Sequence, residues 1–409
     1  MTDTSASPRR ALSRHILSPA LIVAGLLLVA GNLRAALTTV GPLLPVMEED
    51  LGLASVAASI LVSLPLLAFA VVSPISPWLS RRFGLERTIA AALLVLAVGL
   101  VLRSTPPLTL LWIGTALIGV AIAILNVLLP ALVKRDFPTR IGALTGAYSS
   151  VQSIFAAVAA GVAVPVAGLS ALGWRLPLAM WAGLALIALG VLIPQVLHPA
   201  STKVPVAGSE LPEPAGPRSP WGRALAWQVT AYMGLQSVVF YVLITWLPSI
   251  ETSAGISDSE AGVHLFVLNA SGIIGSLGCS AVMSRLRDQR VLGVIVPILL
   301  LLGSGGFLLA PQAAVLWACV AGIGGGASIV LALSLFGLRT ANHSDAASLS
   351  GMAQSVGYLL AAAGPIVAGA LHDLSDSWAP ALIGLVIIEV SLLAFGYLSG
   401  RNRVLHVDA

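Results

Sequence analysis

The chain has 409 residues, 57% of them hydrophobic and only 9% charged, against about 25% charged in an ordinary soluble domain. Water cannot solvate such a surface, so the composition excludes a soluble globular protein and describes an all-α, polytopic membrane protein. The net charge of +4 is too small and too scattered for nucleic-acid binding, and Cys279 and Cys319 lie in apolar runs without disulfide or metal-ligand spacing.

The first fifteen residues are polar and carry Arg9, Arg10 and Arg14. The apolar run that follows is too long for a signal-peptide core and reads as a retained helix. A bilayer core takes roughly 20 apolar residues per helix. Cutting at charged and Gly/Pro clusters gives twelve segments: 17–43, 56–79, 88–104, 108–133, 142–168, 175–196, 224–248, 261–284, 291–309, 312–338, 347–370 and 378–399. Between the sixth and seventh, His198 to Arg223 holds six prolines with Gly and Ser and reads as a flexible linker. The expected organisation is a tail (1–16), a six-helix half (17–197), the linker (198–223), a second six-helix half (224–400) and a second tail (401–409).

Lysine and arginine set the orientation. With both termini in the cytoplasm, eighteen of the 21 Lys and Arg residues fall on the cytoplasmic side, including Arg81, Arg82, Lys134, Arg135, Arg285, Arg287 and Arg339. Only Arg103 and Arg175 fall on the outer side, whose loops are acidic: Glu48, Glu49, Asp50, Glu251, Asp258, Glu260, Asp373 and Asp376.

Arg34 is the exception, deep in the apolar run Ile16 to Pro42. A guanidinium there is costly and cannot escape by deprotonating. With no evident partner in the chain, its partner is expected to be a substrate carrying negative charge or a strong acceptor.

The halves repeat. L-P-V-M-E-E-D-L-G-L from Leu44 matches L-P-S-I-E-T-S-A-G-I from Leu247 at a shift of 203, and Lys134 and Gly146 match Arg339 and Gly351 at a shift of 205. Two six-helix halves in parallel repeat describe a transporter with a site at mid-membrane between them.

N-L-R-A-A-L-T-T-V-G-P-L-L-P, Asn32 to Pro45, resembles the first-helix signature of the CynX/NimT family of the major facilitator superfamily, and Leu129 to Arg140 resembles the end of its fourth helix. The resemblance implies a secondary transporter of the bacterial inner membrane, a monomer without cofactor, moving small polar or anionic solutes such as cyanate, nitroimidazoles or carboxylates, with the proton as a candidate second partner. In the loop after the second helix, Ser80-Arg81-Arg82 replaces the superfamily's usual aspartate with a serine. This puts the common Asp-based gate contact in doubt and leaves these three as gating-loop candidates.

The resemblance also implies that helices 1, 4, 7 and 10, with 2, 5, 8 and 11, line the cavity. Arg34 on helix 1 is then the substrate anchor, with Thr38 one turn on sharing its face. Asn32 lies about 200° around the helix from Arg34, so it reads as helix–helix glue unless the helix unwinds near Gly31. Tyr148, Gln152 and Phe155 share a face of helix 5; Gln236 and Phe240 share one on helix 7, and Gln354 and Tyr358 on helix 11. Asn269 sits near the centre of helix 8. All are candidate substrate contacts, against the alternative of interhelical hydrogen bonds.

His264 near the outer end of helix 8, and Glu389 at the midpoint of peripheral helix 12, are the candidate proton carriers. Glu389 is the one carboxylate expected deep in a span. Gly324–Gly325–Gly326 in helix 10 suits either bending or close packing. No Ser/His/Asp set, phosphate loop or metal spacing supports an enzyme. The rival transporter is a drug or metabolite exporter with a broader, mostly apolar substrate range; cation pumps of that kind commonly carry an acid in the early helices, where this chain has an arginine.

Overall fold

The computed structural model describes residues 19–53, 55–197 and 219–405. The expected N-terminal tail and most of the linker fall outside them; of the linker, only a short 3-10 turn, Pro220–Gly222, is described.

The helices in chain order are α1 (Pro19–Thr38), α2 (Val40–Leu51), α3 (Ser55–Val72), α4 (Ser76–Phe83), α5 (Leu85–Arg103), α6 (Leu108–Asp136), α7 (Ile141–Ala167), α8 (Arg175–Ala179) and α9 (Trp181–Leu197), then α10 (Ala224–Ser253), α11 (Asp258–Met283), α12 (Arg290–Leu309), α13 (Ala314–Leu338), α14 (His343–Ser375) and α15 (Ala379–Ser399). Among the described residues, eleven helical stretches are long and apolar enough to cross a membrane, and twelve if the bent pair α3–α4 is one span.

Prolines set the breaks. Pro42 has no N–H to offer the carbonyl of Thr38 and its ring crowds that carbonyl, so the first span is interrupted at Thr39. The segment expected to run straight from 56 to 79 instead bends by 60°, at Ser73-Pro74-Ile75. Glycines and caps set other ends. Gly52 and Gly255, matched by the repeat, hold φ of 61° and 89°, which glycine enters without steric cost. Ser257 and Glu260 form a capping box at the start of α11, and Asn342 Oδ1 accepts from the Asp345 N–H at the start of α14.

The two halves use one packing scheme. α1 packs on α7 and α9, α5 on α6 and α9, and α3 on α6; correspondingly α10 packs on α14 and α15, α12 on α13 and α15, and α11 on α13. The last contact is the tightest. A Cβ on Gly326 would lie 1.8 Å from the Gly272 carbonyl oxygen and one on Gly275 2.0 Å from that of Ile323. Of the glycine run in α13, Gly326 thus serves backbone-to-backbone packing on α11, while Gly324 faces α12 and Gly325 faces open space.

The bundle has a basic end, with Arg81, Arg82, Arg285 and Arg287, and an opposite, acidic end. Hydrogen bonds between the halves lie toward the basic end. Arg81 Nη1 donates to Ser348 Oγ (3.3 Å), Ser280 Oγ to the Gly142 carbonyl (2.8 Å) and Ser355 Oγ to that of Ala70 (2.7 Å). Glycine lets the helices meet there: a Cβ on Gly146 would lie 2.3 Å from that of Ser280, and one on Gly351 2.8 Å from the Ser73 oxygen. Toward the acidic end the same helices expose Val158, Val164, Val263, Phe266, Ile366 and Val367. The contacts between the halves close the molecule at its basic end.

Several expected loop charges belong to helices. Glu49 and Asp50 ride on α2, Glu251 on α10 and Asp373 on α14. Asp50 Oδ2 accepts from Trp174 Nε1 (2.8 Å) and Arg175 Nη1 (3.2 Å); the indole bond first, then the guanidinium charge, hold its carboxyl below the usual range. Arg103 ends α5 on the outer side, as expected, but is 1% exposed. Two acids at helix ends are covered as well: Glu86 pairs with Arg135 (2.6 Å), and Glu251 is 2% exposed. Each was misplaced for one reason: a charge near a segment end reads as solvated until packing shows what covers it.

Candidate substrate site

Midway along the bundle, above the closed end, a cavity of about 40 Å³ is lined by Leu33, Arg34 and Leu37 of α1, Phe69 of α3, Asn126 of α6, Gln152 of α7, Tyr241 of α10, Ile329 and Leu333 of α13 and Tyr358 of α14. Both halves contribute. A single water needs about 10–15 Å³ by a comparable measure, so the cavity suits a solute of a few heavy atoms.

Arg34 is its one charged wall. Among the described residues no carboxylate pairs with it; its guanidinium carbon lies 5.5 Å from the Phe240 ring centre. A cation on an aromatic face keeps its N–H edges free for an incoming acceptor. Asn126 and Gln152 supply amides, Tyr241 and Tyr358 phenols, and Tyr358 packs on Phe69 at 5.2 Å.

Directly beneath the cavity lies the seal. Gln354, one turn before Tyr358 on α14, is fully buried and its Nε2 donates across the half boundary to the Asn126 carbonyl (3.1 Å) and to Ser350 Oγ (2.8 Å). Of the expected contacts, the structure thus brings Arg34, Gln152, Phe240 and Tyr358 together and places Gln354 in the floor.

The others point elsewhere. Asn32 Nδ2 donates to the Leu28 carbonyl (2.8 Å) and toward that of Leu184 on α9 (3.5 Å). Gly31, instead of unwinding the helix, admits the Phe155 ring, 3.0 Å from its would-be Cβ, and Phe155 packs edge-on against Trp181. Thr38 Oγ1 faces the Arg34 (3.0 Å) and Ala156 (3.2 Å) carbonyls. Tyr148 is buried in the core one turn from Gln152. Gln236 Nε2 donates locally, to Ser237 Oγ (2.8 Å) and the Met233 carbonyl (3.2 Å), and Asn269 to the Leu265 carbonyl (2.9 Å).

His264 Nδ1 lies 2.9 Å from Glu251 Oε2 at the acidic end. Glu389 accepts from Ser304 Oγ (2.7 Å) between α12 and α15, is 0% exposed and does not line the cavity. Ser80 Oγ donates to the Pro77 carbonyl (3.1 Å), so the loop's link to the other half runs through Arg81 instead. Sequence reading missed Asn126 and Tyr241. Asn126 was legible, a lone amide amid apolar residues of an expected cavity helix.

A larger cleft, about 820 Å³, lies at the acidic end between α10, α14 and α15. The Trp378 ring there is already stacked by His372 at 4.2 Å and meets Trp246 at a tilt of 42°, 5.0 Å away. The smaller cavity, placed between the halves and holding an unneutralised cation, is the better candidate.

A central cavity shared by two six-helix repeats and sealed toward the basic end is the arrangement of a carrier built from parallel repeats. Residues 26–365 match the Major Facilitator Superfamily model. The 2-nitroimidazole transporter of Escherichia coli (strain K12) is 39% identical over 382 residues, covering 93% of this chain and 96% of that protein. The cyanate transport protein CynX of the same organism is 30% identical over 374 residues, covering 89% and 95%. Among solved structures, the proton:xylose symporter XylE aligns with a TM-score of 0.75 at 13% identity over 94% of this chain and 97% of that one, a likeness of fold alone. The chain belongs to the Major Facilitator Superfamily, among its CynX/NimT-like members. It is a multi-pass membrane protein and a secondary transporter of small solutes, not an enzyme.

Proposed function

We propose that this transporter carries a small, planar, anionic or strongly polar solute of the cyanate, nitroimidazole or short-carboxylate kind, and that Arg34 holds its electron-rich end. The carrying observation is Arg34 itself, unneutralised on the wall of a 40 Å³ cavity otherwise lined by amides, phenols and apolar side chains. The guanidinium fork suits a carboxylate or nitro group, the amides and phenols suit a second polar edge, and the aromatic rings favour flatness. The names of the two relatives support the same size and polarity. A broad, apolar-substrate exporter fits less well, because so small a cavity excludes most such molecules.

By the positive-inside rule the basic end, where the halves meet, faces the cytoplasm of a bacterial cell, and we take the direction of transport to be uptake. Drawing an anion into a negative-inside cell costs about 2.3 kcal/mol per charge per 100 mV, and a cotransported proton offsets that cost. We take the working unit to be a monomer, since each chain holds a whole cavity.

The test is binding by purified protein, measured calorimetrically with cyanate, 2-nitroimidazole, acetate and benzoate. Arg34→Lys keeps the charge and loses the fork, and affinity is expected to fall about 10- to 100-fold, the worth of one charge-assisted hydrogen bond of 1.5–3 kcal/mol. Normal binding by this variant, or a preference for cations in the wild type, would refute the reading.

A further inference from the structure

The turn that carries Arg34 is held by side chains on three successive carbonyls. Thr38 Oγ1 donates to the Arg34 oxygen (3.0 Å), Thr39 Oγ1 to that of Ala35 (2.7 Å) and Arg103 Nη1 to that of Ala36 (2.9 Å). The two threonine bonds are local, of a kind common for threonine in helices. The third comes from another helix. Arg103 ends α5, is 1% exposed, and pairs with no carboxylate among the described residues; its Nε and Nη2 are buried without a partner. Its backbone is fixed too, since a Cβ on Gly114 of α6 would lie 2.4 Å from the Arg103 nitrogen.

As a stability device this makes little sense. A buried guanidinium with one neutral acceptor forfeits most of its hydration, and a well-packed apolar residue would serve the fold as well or better. What Arg103 provides is a fixed reach from α5 to the carbonyl next to the break in the first span. Arg34 sits two residues before that carbonyl, so a shift of this turn moves its guanidinium within the cavity.

We infer that Arg103 is a positioning residue for substrate binding: through the Ala36 carbonyl it holds the interrupted turn of the first span so that Arg34 stands in the cavity against Phe240. This rests on the reading of Arg34 as the substrate anchor. It assigns Arg103 no contact with substrate.

The experiment compares wild type, R103M and R103K in detergent by three measurements. The first is the rate of phenylglyoxal modification at Arg34, resolved by peptide mass spectrometry, which needs no substrate. The second is the thermal midpoint, and the third is calorimetric affinity for cyanate and 2-nitroimidazole. In R103M, Arg34 is expected to react several-fold faster, the midpoint to hold or rise, and affinity to fall about 10-fold, as loss of one positioning bond of roughly 1.4 kcal/mol would give. R103K still places a donor at the Ala36 carbonyl and is expected to return reactivity and affinity to the wild-type range. Unchanged Arg34 reactivity in R103M overturns the inference. So does an R103M protein that fails to fold, or one that loses stability and affinity together without rescue by R103K, since either makes Arg103 structural. Normal substrate binding by R34K would condemn the anchor instead, while the modification rate still reports on Arg103.

Discussion

Tyr241 and Phe240 are neighbours on α10 with different jobs. Phe240 backs the Arg34 guanidinium, and Tyr241 lines the cavity. Removing the Tyr241 hydroxyl tests whether phenols as well as the guanidinium read the solute. Tyr241→Phe keeps the ring, and affinity for the preferred ligand is expected to fall about 3- to 10-fold, the 0.5–1.5 kcal/mol of an ordinary hydrogen bond, with the thermal midpoint unchanged. Calorimetry and a melting curve check both halves of that statement. Arg34 was legible in the sequence because a charge inside an apolar run is anomalous whatever surrounds it. Tyr241 was not, because adjacent residues are about 100° apart on a helix and only packing shows which one meets the cavity. Asn32, Gln236 and Asn269 looked like site residues for the opposite reason: amides are conspicuous in apolar helices, yet each donates to a carbonyl on its own helix. Glu251 and Arg103 looked solvated because nothing in a sequence reveals that a helix end is covered.

The helices that close the basic end meet in two seams related by the internal repeat. In one, Gly142 and Gly146 of α7 face Met283 and Ser280 of α11; in the other, Gly351 of α14 faces Ser73 and Pro77 at the α3–α4 bend. Twelve spans and their order followed from hydropathy alone, but the bend did not. Pro74 was visible; that it turns the chain by 60° under α14 depends on the other half. The seams make a prediction about the transport cycle. A leucine at Gly351 would drive its Cβ to 2.8 Å from the Ser73 oxygen and 3.0 Å from Pro77 Cγ, a clash relieved only by parting the seam. Gly351→Leu is therefore expected to shift the population toward opening at the basic end. The reporter is a cysteine at Ser280, which is buried in the other seam, in a chain with Cys279 and Cys319 replaced by alanine. Its labelling by a membrane-impermeant maleimide is expected to rise several-fold in Gly351→Leu; equal labelling would mean that the α14 seam does not govern closure.

For the whole molecule, charge placement separates the two proton-carrier candidates. Glu389 is sealed between α12 and α15, bonded to Ser304 and remote from both seams. One carboxyl oxygen is held by Ser304 on the neighbouring helix and the other is buried without a partner, so the acid has no exposed face in this arrangement. His264 differs in keeping 16% of its side chain exposed at the acidic end, where it faces Glu251, itself 2% exposed. Glu260 stands in the first turn of the same helix, and His372 and Asp373 of α14 border the cleft shared with Ser249 and Ser253 of α10. On the proposed reading of an anionic solute, a negative charge on Glu251 at the acidic end would oppose its approach, and a proton held between Glu251 and His264 would cancel that charge. Proton binding at this pair would therefore favour anion entry, and proton loss would oppose it. In proteoliposomes, uptake of cyanate is expected to accelerate when the outside is made acid. Glu389→Gln should keep that response in full, while His264→Gln should bind cyanate normally yet lose the acceleration. A response abolished by Glu389→Gln and retained by His264→Gln would reverse the assignment and require a proton route through the α12–α15 seam.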